Sequence, residues 1–295
     1  YIDKNIEREE GMFQTIISTI SSFMYSKLLV IILIGAGVYF TVRTRFPQVR
    51  LFKRACGSVM EKPEDKKAIS SFQALMVSTA SRVGTGNIVG VSSAICIGGF
   101  GSVFWMWVIA IIGSASALIE STLAQIYKKK GEDGSCYGGP AYYIEAALHC
   151  RPLAIVFCVA MILTYAFGFN MLASYNLQST FAGFSFYHAD VTPWIIGGIL
   201  AVITGWCLLG GGSRIVKVTS TLVPVMGGAY IVVALIVVIL NIGYIPTVFA
   251  TIFKEAFDFK AIFGAFAGSA MMQGIRRGLY SNEAGIGSAP NAAAS

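Results

Sequence analysis

The run Val83-Gly84-Thr85-Gly86-Asn87 lies inside an apolar stretch, Ser70 to Gly98, that is long enough to cross a bilayer. No other feature constrains the fold as much. A helix in hydrocarbon must satisfy its own backbone. Two glycines around a hydroxyl, followed by an amide, work against that. Irregular backbone survives at such depth only where it is packed in protein or lines a polar cavity. Transport proteins use such breaks to present bare N–H and C=O groups to a solute and an ion.

Composition gives the surroundings. The chain is 55% hydrophobic and 13% charged, with mean hydropathy +0.69. A soluble domain would carry about 25% charged residues. Apolar spans of near 20 residues recur along the chain, which argues for membrane helices and against a β-barrel. Residues 5–24 place Phe13, Ile16, Ile17, Ile20 and Met24 at helical spacing, as in an amphipathic helix on the membrane surface or an extension of the next span. Seven spans follow, near 24–42, 70–97, 102–127, 152–181, 193–209, 215–240 and 259–280. The first is the leading helix, and the others are helices one to six.

Charge tests this topology. Sixteen of the 22 Lys and Arg residues fall in loops on one side, from Arg43 to Arg54, Lys62 to Lys67, Lys128 to Arg151, at Arg214 and Lys217, and at Arg276 and Arg277. Five fall on the other side: Lys4, Arg8, Lys27, Lys254 and Lys260. This imbalance predicts that the basic loops are cytoplasmic and the N-terminus is outside. Trp105, Trp107 and Trp194 at span ends suit an aromatic belt. The net charge of +7 therefore reports membrane orientation and does not call for a nucleic-acid partner. The six cysteines form no C-x-x-C and there are two histidines, so neither a metal site nor a disulfide framework is expected.

Glycine at positions 84 and 86 permits an unwound segment that splits helix one. The second half would then point free N–H groups at a carboxylate, and the first half would offer carbonyls to a cation such as Na⁺. Thr85 and Asn87 add side-chain oxygens. The competing reading is close helix packing, since Gly86 and Gly90 form a G-x-x-x-G. Arg82 is the one cation near the middle of a span, expected to face a cavity or a partner such as Glu120 or Glu283. Glu120, beside Ser116, Ser121 and Thr122, reads as a structural hydrogen-bonding group. Tyr137-Gly138-Gly139-Pro140 is a tight turn before a helix on the cytoplasmic side, either a hinge or a plain turn. The last span, Phe263 to Gly274, again mixes glycines with polar groups. Two interrupted helices five spans apart point to a binding site between inverted repeats. No H-E-x-x-H, G-x-S-x-G or paired intramembrane carboxylate supports a membrane enzyme. A gradient-independent facilitator or channel and a non-transporting nutrient sensor stay open as alternatives. The lack of an initiator methionine and the stop at Ser295 lead us to expect a fragment of a longer transporter.

Phe72-Gln73-Ala74-Leu75, Val83-Gly84-Thr85-Gly86-Asn87-Ile88, Phe104-Trp105-Met106-Trp107-Val108, Tyr137-Gly138-Gly139-Pro140 and Ser281-Asn282-Glu283-Ala284-Gly285 together resemble the alanine or glycine:cation symporter family, the sodium:alanine symporters. The resemblance covers nearly the whole chain. It implies an all-α integral membrane protein with the five-plus-five inverted-repeat fold. On that basis residues 1–23 are an amphipathic N-terminal segment and 24–42 the leading transmembrane helix. Residues 70–240 hold helices one to five of the first repeat, and 259–295 begin the second with helix six. Helices seven to ten would lie outside this chain.

The resemblance further implies Na⁺-coupled symport of a small neutral amino acid across the cytoplasmic membrane, with no cofactor beyond Na⁺ as coupling ion. Sodium ligands would be the carbonyls of Ala80 and Val83, with Asn87 at the position that serves the other sodium site in related transporters. Arg82 replaces a small residue there, which argues against that second sodium site. Substrate would lie against Thr85 and Gly86 on helix one, Gly268, Ser269, Met272 and Gln273 on helix six, and Phe169, Asn170 and Ala173 on helix three. Family members commonly carry Gln at the position of Ala173. The smaller side chain here extends the expected substrates from alanine and glycine to glutamine.

Overall fold

The computed structural model describes residues 14–24, 28–61, 70–84, 86–131, 136–258 and 269–294. Thr85, Gly268 and the sequence-predicted start of helix six at 259–268 lie outside the described residues. Among the described residues the fold is all-α apart from an antiparallel ladder that pairs Lys129–Lys130 with Cys136–Tyr137. Residues 14–23 are helical and exposed.

Among the described residues, four helices are long and apolar enough to cross a membrane: Gly101–Ile126, Arg151–Ser179, Thr192–Leu209 and Gly211–Leu240. These are helices two to five. Leu29–Arg43 and Gly86–Gly98 are shorter apolar helices, corresponding to the leading helix and the second half of helix one. The chain is thus a multi-pass membrane protein. Pro193 enters helix four in its first turn, where the missing N–H is harmless. Pro224 lies inside helix five, which continues through it to Leu240.

Pro140–Leu148 is the helix expected after the Gly-Gly-Pro turn. Other helices between the spans are absent from the sequence-based division, among them Phe52–Val59 after the leading helix and Ile245–Ala256 after helix five. The last is amphipathic. Its Phe253 and Phe257 just beyond it meet Phe104, while Phe249 lies by Trp107. Helix three is also not uniform. A wide π turn, Leu163–Phe169, separates Arg151–Ile162 from Asn170–Ser179.

The chain forms two compact units. The first comprises 1–48, 90–116 and 246–285. Its buried core joins Val30 of the leading helix, Ile109 of helix two, and Ile275 and Leu279 of helix six. Helix six, Ala270–Asn282, crosses helix two along a stripe of small residues. A Cβ on Gly274 would lie 2.3 Å from the carbonyl oxygen of Ser102, and one on Gly278 would lie 3.2 Å from Met106 Cα. This is the small-xxx-small contact that lets membrane helices approach backbone to backbone. Gly37 plays the same part where the leading helix meets Ile112. Trp105 Nε1 donates to the Ala256 carbonyl at 3.0 Å, and Glu255 Oε2 accepts from Gly101 N at 3.2 Å. The carboxylate thereby satisfies a donor at the start of helix two and meets the positive end of its dipole.

The second unit comprises 49–89, 117–245 and 286–295. Here the first half of helix one, Ser71–Arg82, packs against helix five and against a short helix, Ser288–Ala294. The same short helix sits on the Gly-Gly-Pro turn. Gly139 has φ +119, and a Cβ there would fall 1.9 Å from Asn291 Oδ1. Gln125 Nε2 donates to the Ala293 carbonyl alongside. The turn is therefore a seat for another segment as well as a helix start. Gly139→Val should lower the melting temperature through backbone strain of about 1–3 kcal/mol, with the clash added. Thermal unfolding in detergent checks this. Gly183→Ala, where a Cβ meets nothing within 4 Å, is the control.

Candidate functional site

Helix one breaks where the glycines permit. Ser70 caps its start with a full capping box, accepting from Gln73 N while Gln73 Oε1 accepts from Ser70 N. The α-helix then runs to Arg82. Val83 leaves helical geometry with φ −86 and ψ 87, and a π turn over Gly86–Gly90 leads into the second half, Val91–Gly98. A Cβ on Gly84 or Gly90 would meet nothing within 4 Å. Close packing does not explain these two glycines, so the G-x-x-x-G reading fails at Gly90. The close-packed glycines are instead Gly274 and Gly278 on helix six.

Asn87 spans the break. Its Nδ2 donates to the Arg82 carbonyl at 2.8 Å, and its backbone N donates to the Gly84 carbonyl at 3.1 Å. Gly84 N also donates to the Arg82 carbonyl, at 3.2 Å. The amide side chain thus replaces a helical hydrogen bond that the break removes, which holds the unwound loop in one shape. Arg82 contributes its carbonyl here. Its Nε is buried without a hydrogen-bond partner among the described residues. Glu120 acts on Tyr143. Burial, and then the Glu120 carboxylate, push that phenol up to about 12, so it stays neutral at physiological pH.

The expected site residues fall into three groups. Ala80, Val83, Gly86 and Asn87 lie at or beside the break, with Gly86 buried. Ser269, Met272 and Gln273 are buried, at 5%, 4% and 9% exposure. Ser269 caps helix six, its Oγ accepting from Met272 N at 3.3 Å. A fresh N-cap here shows that the helix starts at Ala270, so its first orphan N–H groups lie among the residues expected to meet substrate. Helix six packs on the second half of helix one, where a Cβ on Gly98 would lie 2.8 Å from Gln273 Cβ and 2.5 Å from Ser102 Oγ. Ser102, fully buried, ties the second half of helix one to helix two by donating to the Ala94 carbonyl at 3.1 Å. Sequence reading passed over Ser102, although a hydroxyl set in an apolar span was a usable signal.

The third group is on helix three. Phe169 stacks on Tyr165 at 4.9 Å, and Asn170 Nδ2 donates to the Ala166 carbonyl at 3.0 Å. Asn170 and Ala173 are exposed, so the structure does not bury this trio in a pocket. The trio does sit at the end of the π turn, a geometry that frequently marks functional positions in helices.

Comparison with known proteins adds an independent line. The family model described as the sodium:alanine symporter family matches residues 10–295. Over 286 residues the chain is 47% identical to the amino-acid carrier protein AlsT of Bacillus subtilis, covering 97% of this chain and 60% of that protein. It is 45% identical over 288 residues to the probable sodium/glutamine symporter GlnT of the same organism, covering 97% and 59%. Over 289 residues it is 39% identical to the sodium/alanine symporter AgcS of Methanococcus maripaludis, covering 96% and 63%. The chain thus spans about three fifths of the length of these relatives.

Proposed function

The chain belongs to the sodium:alanine symporter family, and from that premise we propose that it is the substrate-binding part of an amino-acid transporter driven by Na⁺. The observation that carries the proposal is the broken first helix, held open by Asn87, together with a sixth helix that begins at Ser269 against the other half of the break. Two half-helix starts supply N–H groups for a carboxylate, and the unwound carbonyls suit a cation. We take the fold to be the five-plus-five inverted repeat, with 70–240 as the first repeat and 259–295 as the start of the second. The basic loops face the cytoplasm in this reading, and the N-terminus is outside.

In this mechanism Na⁺ binds first, on the carbonyls of Ala80 and Val83 with Asn87 nearby, and orders the loop. The substrate carboxylate docks on the N–H groups at Thr85 and Gly86. Carbonyls around Gly268 and Ser269 receive the ammonium, and Met272 and Gln273 bound the side chain. Each ligand binds better once the other has ordered the shared segment, which is the origin of coupling. The family resemblance, rather than the geometry, adds Phe169, Asn170 and Ala173 of helix three to the substrate's surroundings.

Uptake of labelled alanine, glycine and glutamine into proteoliposomes tests the reading, with the protein in its full natural length. Accumulation only with an inward Na⁺ gradient is expected. Equilibration without a gradient would make the protein a facilitator, and binding without uptake would make it a sensor. The relatives are named for both alanine and glutamine, so the pocket wall decides the ranking. Ala173→Gln should move preference away from glutamine toward alanine and glycine by roughly 10-fold, the scale set by a few methylenes in a pocket. An unchanged ratio would remove Ala173 from the site.

A further inference from the structure

The segment 49–60, between the leading helix and helix one, has a surface the transport reading does not use. Its helix, Phe52–Val59, sorts its residues at 100° spacing. Phe52, Ala55, Cys56, Val59 and Met60 share one side, while Arg54, Gly57 and Ser58 lie on the other. Among the described residues the apolar side is largely uncovered. Phe52 is 67% exposed, Met60 88% and Val49, just before the helix, 80%. Arg50, Lys53 and Arg54 are exposed too, and no acidic side chain occurs between Arg43 and Met60.

From this pattern we infer that 49–60 is an interfacial anchor that binds the anionic headgroup layer of the cytoplasmic leaflet. The apolar face is too short to span and well placed to lie flat. Three cations beside it are uncompensated within the segment, and a negative lipid surface supplies the complementary charge. The tether to a membrane span at Leu29–Arg43 keeps the segment at the interface, so binding requires no capture from bulk solution. The anchor has a structural consequence inside its own unit. Helix Phe52–Val59 packs against the first half of helix one, which ends at the break. Lipid that seats the anchor therefore also fixes the foot of the half-helix that leads to the ion site.

The test reads depth in the bilayer and needs no transport. It rests on the membrane-spanning reading and on the proposed cytoplasmic placement of the basic loops, so it stays informative if the protein carries no amino acid. A spin label is placed on Cys56 of the full chain, with the other five cysteines replaced by alanine. The protein is reconstituted in phosphatidylcholine, with or without phosphatidylglycerol, and accessibility to oxygen and to a water-soluble nickel complex is compared. In the anionic bilayer the label should sit about 5–10 Å into the headgroup and acyl boundary. In the neutral bilayer it should be shallower. Arg50→Gln/Lys53→Gln/Arg54→Gln should bring the anionic-bilayer value to the neutral one. In wild type, ~1 M salt, which cuts the Debye length to about 3 Å, should do the same without any substitution at those residues. Equal depth in both bilayers, or a depth that salt leaves unchanged, overturns the proposal.

Discussion

Gly274→Val should cost the protein its folded yield in the membrane and lower the melting temperature of what remains by roughly 6–12 °C, from ~3 kcal/mol of overpacking in a domain of this size. The reason is that the neighbour is backbone. A Cβ at Gly274 would fall 2.3 Å from the Ser102 carbonyl oxygen and 2.7 Å from Trp105 Cβ. A flexible side chain could turn aside, but a helical carbonyl cannot. Helix six must then withdraw from helix two. That separates Ile275 and Leu279 from Ile109 and the leading helix, breaking up the apolar core cluster of this unit. It also loosens the seat of Gln273 on Gly98. Thermal unfolding in detergent reads the loss. Gly227→Ala on helix five is the matched control, because a Cβ there meets nothing within 4 Å. That change should be neutral or stabilising by about 0.5–1 kcal/mol. Equal melting temperatures for the two variants would mean that helix six does not rest on helix two as described.

The membrane helices were legible because hydrophobic length is a coarse signal that survives ignorance of packing. The break at Gly84 was legible for a related reason, since glycine and amide residues at membrane depth contradict their surroundings. Less visible was what each glycine is for. Gly86 and Gly90 look like a packing pair, yet among the described residues a Cβ on Gly90 meets nothing within 4 Å, while Gly274, read as part of another interruption, is close-packed together with Gly278. One sequence pattern serves both uses, and only the neighbour decides. The helix Ile245–Ala256 escaped because its apolar face is paired with Phe104 and Trp107, a partner chosen by tertiary structure. The π turn in helix three has no pattern of its own, since one extra residue in an apolar helix leaves the composition unchanged. Arg82 was expected to matter for its charge. The structure adds its carbonyl, which takes part in the break, and no side-chain rule could have indicated that.

Asn87→Ala should raise the Na⁺ concentration needed for half-maximal uptake by about 10–100-fold, the range found when a group orienting the ligands of an ion is removed. The substitution has two effects. It deletes the Nδ2 bond to the Arg82 carbonyl at 2.8 Å, a side-chain hydrogen bond across the unwound segment. That loss alone is worth about 1 kcal/mol of loop order. It also deletes the Oδ1 oxygen that the proposed ion site would use. Asn87→Asp separates the two, because it keeps oxygen and loses the donor. If Asn87 acts chiefly as a clamp, the aspartate variant should be as impaired as the alanine one, since a carboxylate cannot donate to a carbonyl and would repel it. If the oxygen is the ion ligand, the aspartate variant should keep Na⁺ affinity close to wild type. Substrate half-saturation at saturating Na⁺ should move less than the Na⁺ value in both variants, because ion binding can then supply the missing order. Unchanged Na⁺ dependence in Asn87→Ala would leave the break as a structural irregularity and move the ion site elsewhere.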